Sequence, residues 1–176
     1  MAATCYQSPR KTVLWAFMLG LCSLLLVNFS VWHKEQLWRN GEPIILALAP
    51  KDPRSLMQGD YMALDYVVAR ELRQALQDDG NWQPNLQGWL LLTLQPQGPA
   101  LYRGYRFSNA DTDMTGQQRL LPFKVRNNRV RIASNAWFFE EGQAAHFDAV
   151  RYGEFRLAND GELLLVGLLD ENLQPL

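Results

Sequence analysis

The densest run of chemistry-bearing side chains is Pro53-Arg54-Ser55-Leu56-Met57-Gln58-Gly59-Asp60-Tyr61. Gly59-Asp60 is a turn opening a strand, because glycine accepts unusual φ and an aspartate accepts hydrogen bonds from the amides that follow. Arg54, Asp60 and Tyr61 are its candidate binding residues, and Gly59, Leu64 and Tyr66 its structural frame. A second candidate is basic. Arg119, Lys124, Arg126, Arg129 and Arg131 fall within thirteen residues, whereas residues 140–171 hold eight acids against Arg151 and Arg156. On a hairpin, Arg129 and Arg131 share one face, as do Lys124 and Arg126. Such a cluster is either a solvated hairpin paired with the acidic one, or a patch for an anionic headgroup, glycan or partner. In the second case Arg129 and Arg131 are the binding residues.

Catalytic chemistry is poorly supplied. With His33 and His146 as its histidines and Cys5 and Cys22 as its cysteines, the chain is badly equipped for a Ser-His-Asp triad or a zinc site. Glu140 and Glu141 are adjacent, and strand neighbours point to opposite faces, which is poor geometry for a paired acid and base. No glycine-rich phosphate loop occurs. A serine nucleophile at Ser55 would need a buried, neutral lysine, for which Lys124 is the candidate. The expectation is therefore no catalytic residue, no metal, no cofactor and no small-molecule ligand.

The elements that must position these residues follow from composition. The chain has 176 residues, 17 basic and 18 acidic, and that near-neutral balance excludes a general nucleic-acid binder. Hydrophobic residues at 48% suffice for a buried core. They are unevenly spread: Thr12 to Trp32 is a run of 21 residues without a charge. As a helix this run spans ~31 Å, the hydrocarbon thickness of a bilayer. Trp15 and Trp32 mark its two ends, as aromatic side chains do at membrane interfaces. The run is too long for a signal peptide and lacks a small-residue cleavage site behind it, so it reads as an uncleaved signal-anchor. Arg10, Lys11 and the amino terminus ahead of it slightly outweigh Lys34 and Arg39 behind it. A tail of eleven residues against 144 on the other side decides for a cytoplasmic N-terminus. The expected organisation is a tail at 1–11, an anchor at 12–32, a juxtamembrane helix or linker at 33–42 and an extracytoplasmic domain at 43–176. Residues 33–176 contain no cysteine, which suits an oxidising compartment.

The domain reads as mainly β, a compact sandwich or barrel-like unit with one or two short helices. Val31 to Arg39 continues the first helix, which stops at Asn40-Gly41. Ile44 to Ala49 is a strand. Tyr61 to Val68 alternates, with Met62, Leu64, Tyr66 and Val68 on one face. Ala69 to Gln77 is a brief helix burying Leu72, Ala75 and Leu76. Trp89 to Leu94, almost wholly apolar, reads as a central strand buried on both faces, and Ala100 to Phe107 pairs back on it. Leu120 to Val125 and Arg129 to Ala133 form a hairpin around Arg126-Asn127-Asn128. A helical turn runs from Gln143 to His146. Tyr152 to Leu157 and Glu162 to Leu169 flank a turn at Asn159-Asp160-Gly161.

Gly59-Asp60-Tyr61-Met62-Ala63-Leu64-Asp65-Tyr66 has the form G-D-Y-x-x-L-x-Y and resembles the signature of the GDYXXLXY family of bacterial membrane-anchored proteins. Ala49 to Gln58 is similar to that family's lead-in, and Phe138 to Ala144, Ala149 to Phe155 and Leu165 to Leu168 to its later blocks. The resemblance covers roughly residues 40–170. It implies a single-pass inner-membrane protein whose extracytoplasmic, periplasmic domain accompanies a multi-pass membrane partner. The enzymatic alternative is a membrane-bound serine peptidase of the signal-peptidase type, centred on Ser55 with a lysine base. Ser55 stands only four residues before Gly59, and the Ser-Met-x-Pro run of those enzymes is missing, so an interaction module is the preferred reading.

Overall fold

The computed structural model describes residues 9–49, 61–108, 116–140, 142–158 and 160–176. Two units result, divided between Arg39 and Asn40. The first is dominated by helix α1, Pro9–Asn40, of 32 residues. From Val13 to Trp32 its large apolar side chains are exposed all round the helix. It is one helix long and apolar enough to cross a membrane. A helix with apolar residues on every side has no polar face to give to water. Asn28, one of two polar residues near its far end with Ser30, donates from Nδ2 to the carbonyl of Leu24 at 2.9 Å, so its amide is engaged within the helix. Past Trp32 the helix becomes polar, and Arg39 pairs one turn back with Glu35 at 2.6 Å.

The second unit is mainly β. Its strands are β1 (Glu42–Ala47), β2 (Tyr61–Ala63), β3 (Gln87–Gln95), β4 (Gly98–Arg106), β5 (Gln118–Arg126), β6 (Arg129–Arg131), β7 (Ala136–Phe138), β8 (Tyr152–Leu157) and β9 (Leu163–Leu169). Helix α2 (Val67–Asp78) follows β2, and a 3-10 helix covers Ala144–Ala149. The strands form three antiparallel sheets, ordered β1-β8-β9, β2-β7 and β4-β3-β5-β6. Ile44 and Leu46 of β1, Phe155 of β8, Leu90 and Leu92 of β3, and Leu121 and Phe123 of β5 meet in one core, closed by Leu72 and Leu76 of α2. Alternate residues of each strand supply this core, as the two-residue period of a strand requires.

Several local expectations need correction. The strand starting at Tyr61 ends at Ala63, and Val68 belongs to α2. Met62, Leu64, Tyr66 and Val68 are nevertheless all buried, because the chain turns into the helix without leaving the core. Helix α2 begins at Val67 and buries Val68, Ala69, Leu72 and Leu76, a stripe at helical spacing. Ala75 stays half-buried, at the edge of that stripe. Strand β3 is central, yet only Gly88, Leu90 and Leu92 are buried, while Trp89, Leu91 and Thr93 on its other face are half-covered. The 3-10 helix replaces the turn expected over Gln143 to His146 and lies further along the chain.

Two turns show why their sequences suit them. Asn127 and Asn128, at φ 49° and 58°, form the two-residue loop between β5 and β6, with Arg126 opposite Arg129. Positive φ at both positions is the type I′ pattern that matches the twist of a hairpin, and asparagine accepts it. Gly161, at φ 88°, sits where an added Cβ would meet Pro122 Cδ at 2.9 Å and Trp89 Cζ3 at 3.3 Å. The β8–β9 connection thereby covers part of the outer face of β3. Gly161→Ala is expected to cost ~1–3 kcal/mol through strain and overpacking. It would be read as a lower urea midpoint with an unchanged slope.

Candidate functional site

The described part of the signature, from Tyr61 to Tyr66, is held where three pieces of chain meet. Strand β2 pairs antiparallel with β7, Tyr61 opposite Phe138 and Ala63 opposite Ala136. Beyond β2, the Leu64 amide donates to the Asn135 carbonyl at 2.8 Å, and the Asp65 carbonyl accepts from the Ala49 amide at 2.8 Å. Tyr66 bridges to Leu48 and stands in extended conformation as the N-cap of α2. Its carbonyl accepts from the amides of Ala69 and Arg70, starting the helix.

Leu64 and Tyr66 face inward, at 8% and 2% exposure. The Tyr66 ring packs edge-on against Phe155 at 5.8 Å, and its hydroxyl donates to the Ser134 carbonyl. A buried phenol needs such a partner, since an unsatisfied hydroxyl away from water is costly. Burial, followed by the negative charge of Asp65, pushes the Tyr66 phenol well above its ordinary range. The raised group contributes stability in full below the unfolded value of about 10, and this contribution is lost as pH climbs above it. Urea midpoints are expected to fall more steeply above pH ~10 in the wild type than in Tyr66→Phe. Parallel alkaline profiles would remove the assignment.

Asp65 points the other way. Its Oδ1 accepts from the Tyr66 amide at 3.1 Å, and its Oδ2 accepts from Arg70 Nε at 3.0 Å. Behind it opens a groove of about 430 Å3, lined by Ala63 to Asp65, Ala69, Arg70, Arg73, Arg129 to Arg131 and Asn135. Four arginines and one carboxylate therefore border one concavity. Arg73 lies over the Trp82 ring at 5.4 Å, which orients its side chain.

The basic hairpin differs from its expected pairing. Lys124, Arg126, Arg129 and Arg131 are all exposed, and cross-strand register sets Lys124 opposite Arg131 and Arg126 opposite Arg129. Among the described residues, the ion pair made by the cluster is that of Arg119, whose Nε lies 2.6 Å from Glu42 Oε2. Its Nη2 donates to Glu42 Oε1 at 2.8 Å, completing a two-pronged contact with β1. The acidic side of the molecule is partly occupied with itself, Glu154 pairing with Arg156 at 3.3 Å. Of the two readings of the basic cluster, pairing with the acidic hairpin is not seen among the described residues, and the β5–β6 hairpin lies beside α2.

The structure thus brings Arg129 and Arg131 to the exit of the signature segment and keeps Leu64 and Tyr66 in the core. The readings of Arg54, Gly59 and Asp60, and of Ser55 as a nucleophile, fall outside the described residues, as does the Tyr61 side chain. Lys124 is exposed on β5, unlike the buried lysine that a serine nucleophile would need. Among the described residues no three His, Cys, Asp or Glu side chains gather as a metal site would. Arg70 and Arg73 were missed by sequence reasoning. Their signal was a pair at i, i+3 on the polar face of a helix that follows the signature at once.

A family model described as GDYXXLXY protein matches residues 23–168, and the match takes in the helix end, the signature, strands β1 to β8 and all but the last residue of β9. The chain belongs to the GDYXXLXY family. No curated protein and no solved structure matches it. The family's signature can be read physically here: its leucine and final tyrosine are core residues, and the residue between them, Asp65, holds Arg70 at the groove.

Proposed function

We propose that this protein is a single-pass membrane-anchored interaction module, a structural or accessory subunit that docks on an integral membrane partner. The observation that carries the reading is the helix α1, whose apolar side chains are exposed in every direction between Val13 and Trp32. In water that surface would be strongly unfavourable, whereas in hydrocarbon it is the surface a helix needs. Arg10 and Lys11 ahead of the apolar run support a cytoplasmic N-terminus, with the β-rich unit on the periplasmic side of a bacterial inner membrane. Glu35 and Arg39 pair on the polar extension of the helix, past the tryptophan at its apolar end. The unit acts by binding rather than by catalysis, and its docking surface is sought at the signature segment and the basic hairpin.

Crosslinking in native membranes, followed by purification of the full-length chain, tests this reading. The expected result is a reproducible multi-pass protein among the crosslinked products. A chain released by carbonate washing, or one that crosslinks only to itself and to soluble proteins, would overturn it. Reporter fusions at residue 176 check the orientation separately.

A further inference from the structure

The groove between α2 and the β5–β6 hairpin is lined by Arg70, Arg73, Arg129 and Arg131 against the one carboxylate of Asp65, and its two hairpin arginines stand opposite further cations on β5. Arg126 faces Arg129 across the hairpin, and Lys124 faces Arg131. Like charges directly opposite each other on a sheet are destabilising, and among the described residues no acid pairs with any of these four cations. Arg70 adds a guanidinium held in place by Asp65 at 3.0 Å, and Arg73 another held over Trp82. Prepositioned guanidinium groups favour carboxylate and phosphate oxygens, because their forked donors match those geometries.

The backbone selects between these two ligand chemistries. Strand β6 is the edge of the sheet β4-β3-β5-β6. Arg126 and Arg129 close the two-residue hairpin, so the next pair, Val125 and Val130, turns its polar groups away from each other. The Val125 amide accordingly donates to the Leu86 carbonyl on its far side at 2.8 Å. By the same alternation, the amide and carbonyl of Val130 point to the free edge, and Val130 lines the groove. An unpaired donor and acceptor on a strand edge suit an extended peptide, which can supply both complements, better than a compact phosphate.

We propose that this groove is the docking site for an extended acidic segment of a protein partner. The segment lies along β6, exchanges backbone hydrogen bonds at Val130, and sets its carboxylates against Arg129, Arg131 and Arg73. This assignment rests on the accessory reading above and supplies the chemistry of the partner.

The test uses the full-length chain in nanodiscs of zwitterionic lipid and a fluorescent peptide of alternating valine and glutamate, four repeats long. Its counterpart has glutamine for glutamate. The expected result is saturable binding of the acidic peptide, weakened as salt rises and weakened about tenfold or more in Arg129→Glu with Arg131→Glu. Arg129→Gln with Arg131→Gln, two exposed neutral replacements, should show an intermediate loss with unchanged thermal unfolding. Equal binding by wild type and charge-reversed protein, or by acidic and glutamine peptides, would overturn the proposal. So would displacement of the peptide by inorganic phosphate or by glycerophosphoglycerol at concentrations similar to its own, since the groove would then be a phosphate site. Failure here is distinguishable from failure of the accessory reading. If the peptide does not bind while the chain still crosslinks to a multi-pass protein, the groove assignment alone falls. If the peptide binds as expected while the chain washes from the membrane, the groove stands and the accessory reading falls.

Discussion

Tyr66→Ala is expected to cost ~3–5 kcal/mol of folding stability, the range for deleting a large buried aromatic side chain. Two losses combine in one residue. The ring leaves a cavity beside Phe155, where the edge-to-face contact is also lost. The Ser134 carbonyl loses its phenol donor. The backbone bonds of Tyr66 at the entry to α2, to Leu48 and to the first helical amides, are kept by alanine and do not add to the cost. Tyr66→Phe separates these losses, because it keeps the ring and removes only the hydrogen bond, at a cost of ~1–2 kcal/mol. Equilibrium urea unfolding of the full-length chain in detergent, followed by near-ultraviolet circular dichroism, measures both. A Tyr66→Ala midpoint close to that of Tyr66→Phe would show that the ring does not carry the packing described.

The second large effect concerns the helix. Leu21→Asp combined with Leu25→Asp is expected to move most of the chain from the carbonate-resistant membrane fraction to the soluble or degraded fraction. Each aspartate near the centre of a spanning helix opposes insertion by about 3 kcal/mol, and each leucine lost removes a further favourable contribution. Together these exceed what a helix with one marginal end, at Asn28 and Ser30, has in reserve. Both leucines are exposed on α1, at 52% and 63%, so the substitutions remove no packing within the chain. Leu101→Asp, a partly exposed position on β4, is the matching control and should leave membrane retention unchanged. Retention of the double variant in the membrane would mean that something other than this helix holds the protein there.

Much of the β-rich unit was legible because its signals are short-range. The hairpin at Asn127-Asn128 and the turn at Gly161 depend on residues that tolerate positive φ, whatever lies across the molecule. The passage from β2 into α2 was not legible, and the reason is specific. Tyr66, Val67 and Val68 continue an alternating β-branched and aromatic pattern that fits a strand. Tertiary contacts decide otherwise: Ala49 takes the Asp65 carbonyl, Asn135 takes the Leu64 amide, and the stripe Val68, Leu72 and Leu76 is buried as a helix. Local preference gave way to a larger gain from packing.

The basic groove illustrates the same limit for a site. Arg70 and Arg73 lie on the polar face of α2, where arginines on any surface helix are found. Only the placement of β6 beside that helix, some sixty residues later, turns two unremarkable pairs into one charged concavity. Arg119 shows the converse, since its contact with Glu42 bridges 77 residues and withdraws it from the patch in which sequence had grouped it.

What the amino-acid sequence determined by itself was the apolar span, the β-rich character of the remainder and the identity of the family motif. Each is a property of consecutive residues: length, period and spacing need no partner elsewhere in the chain. What the tertiary structure alone decided was which charges meet, which strand is an edge and where the motif's tyrosine is buried. Those outcomes depend on contacts between distant segments, and such contacts are selected by the burial of the whole core rather than by any local pattern.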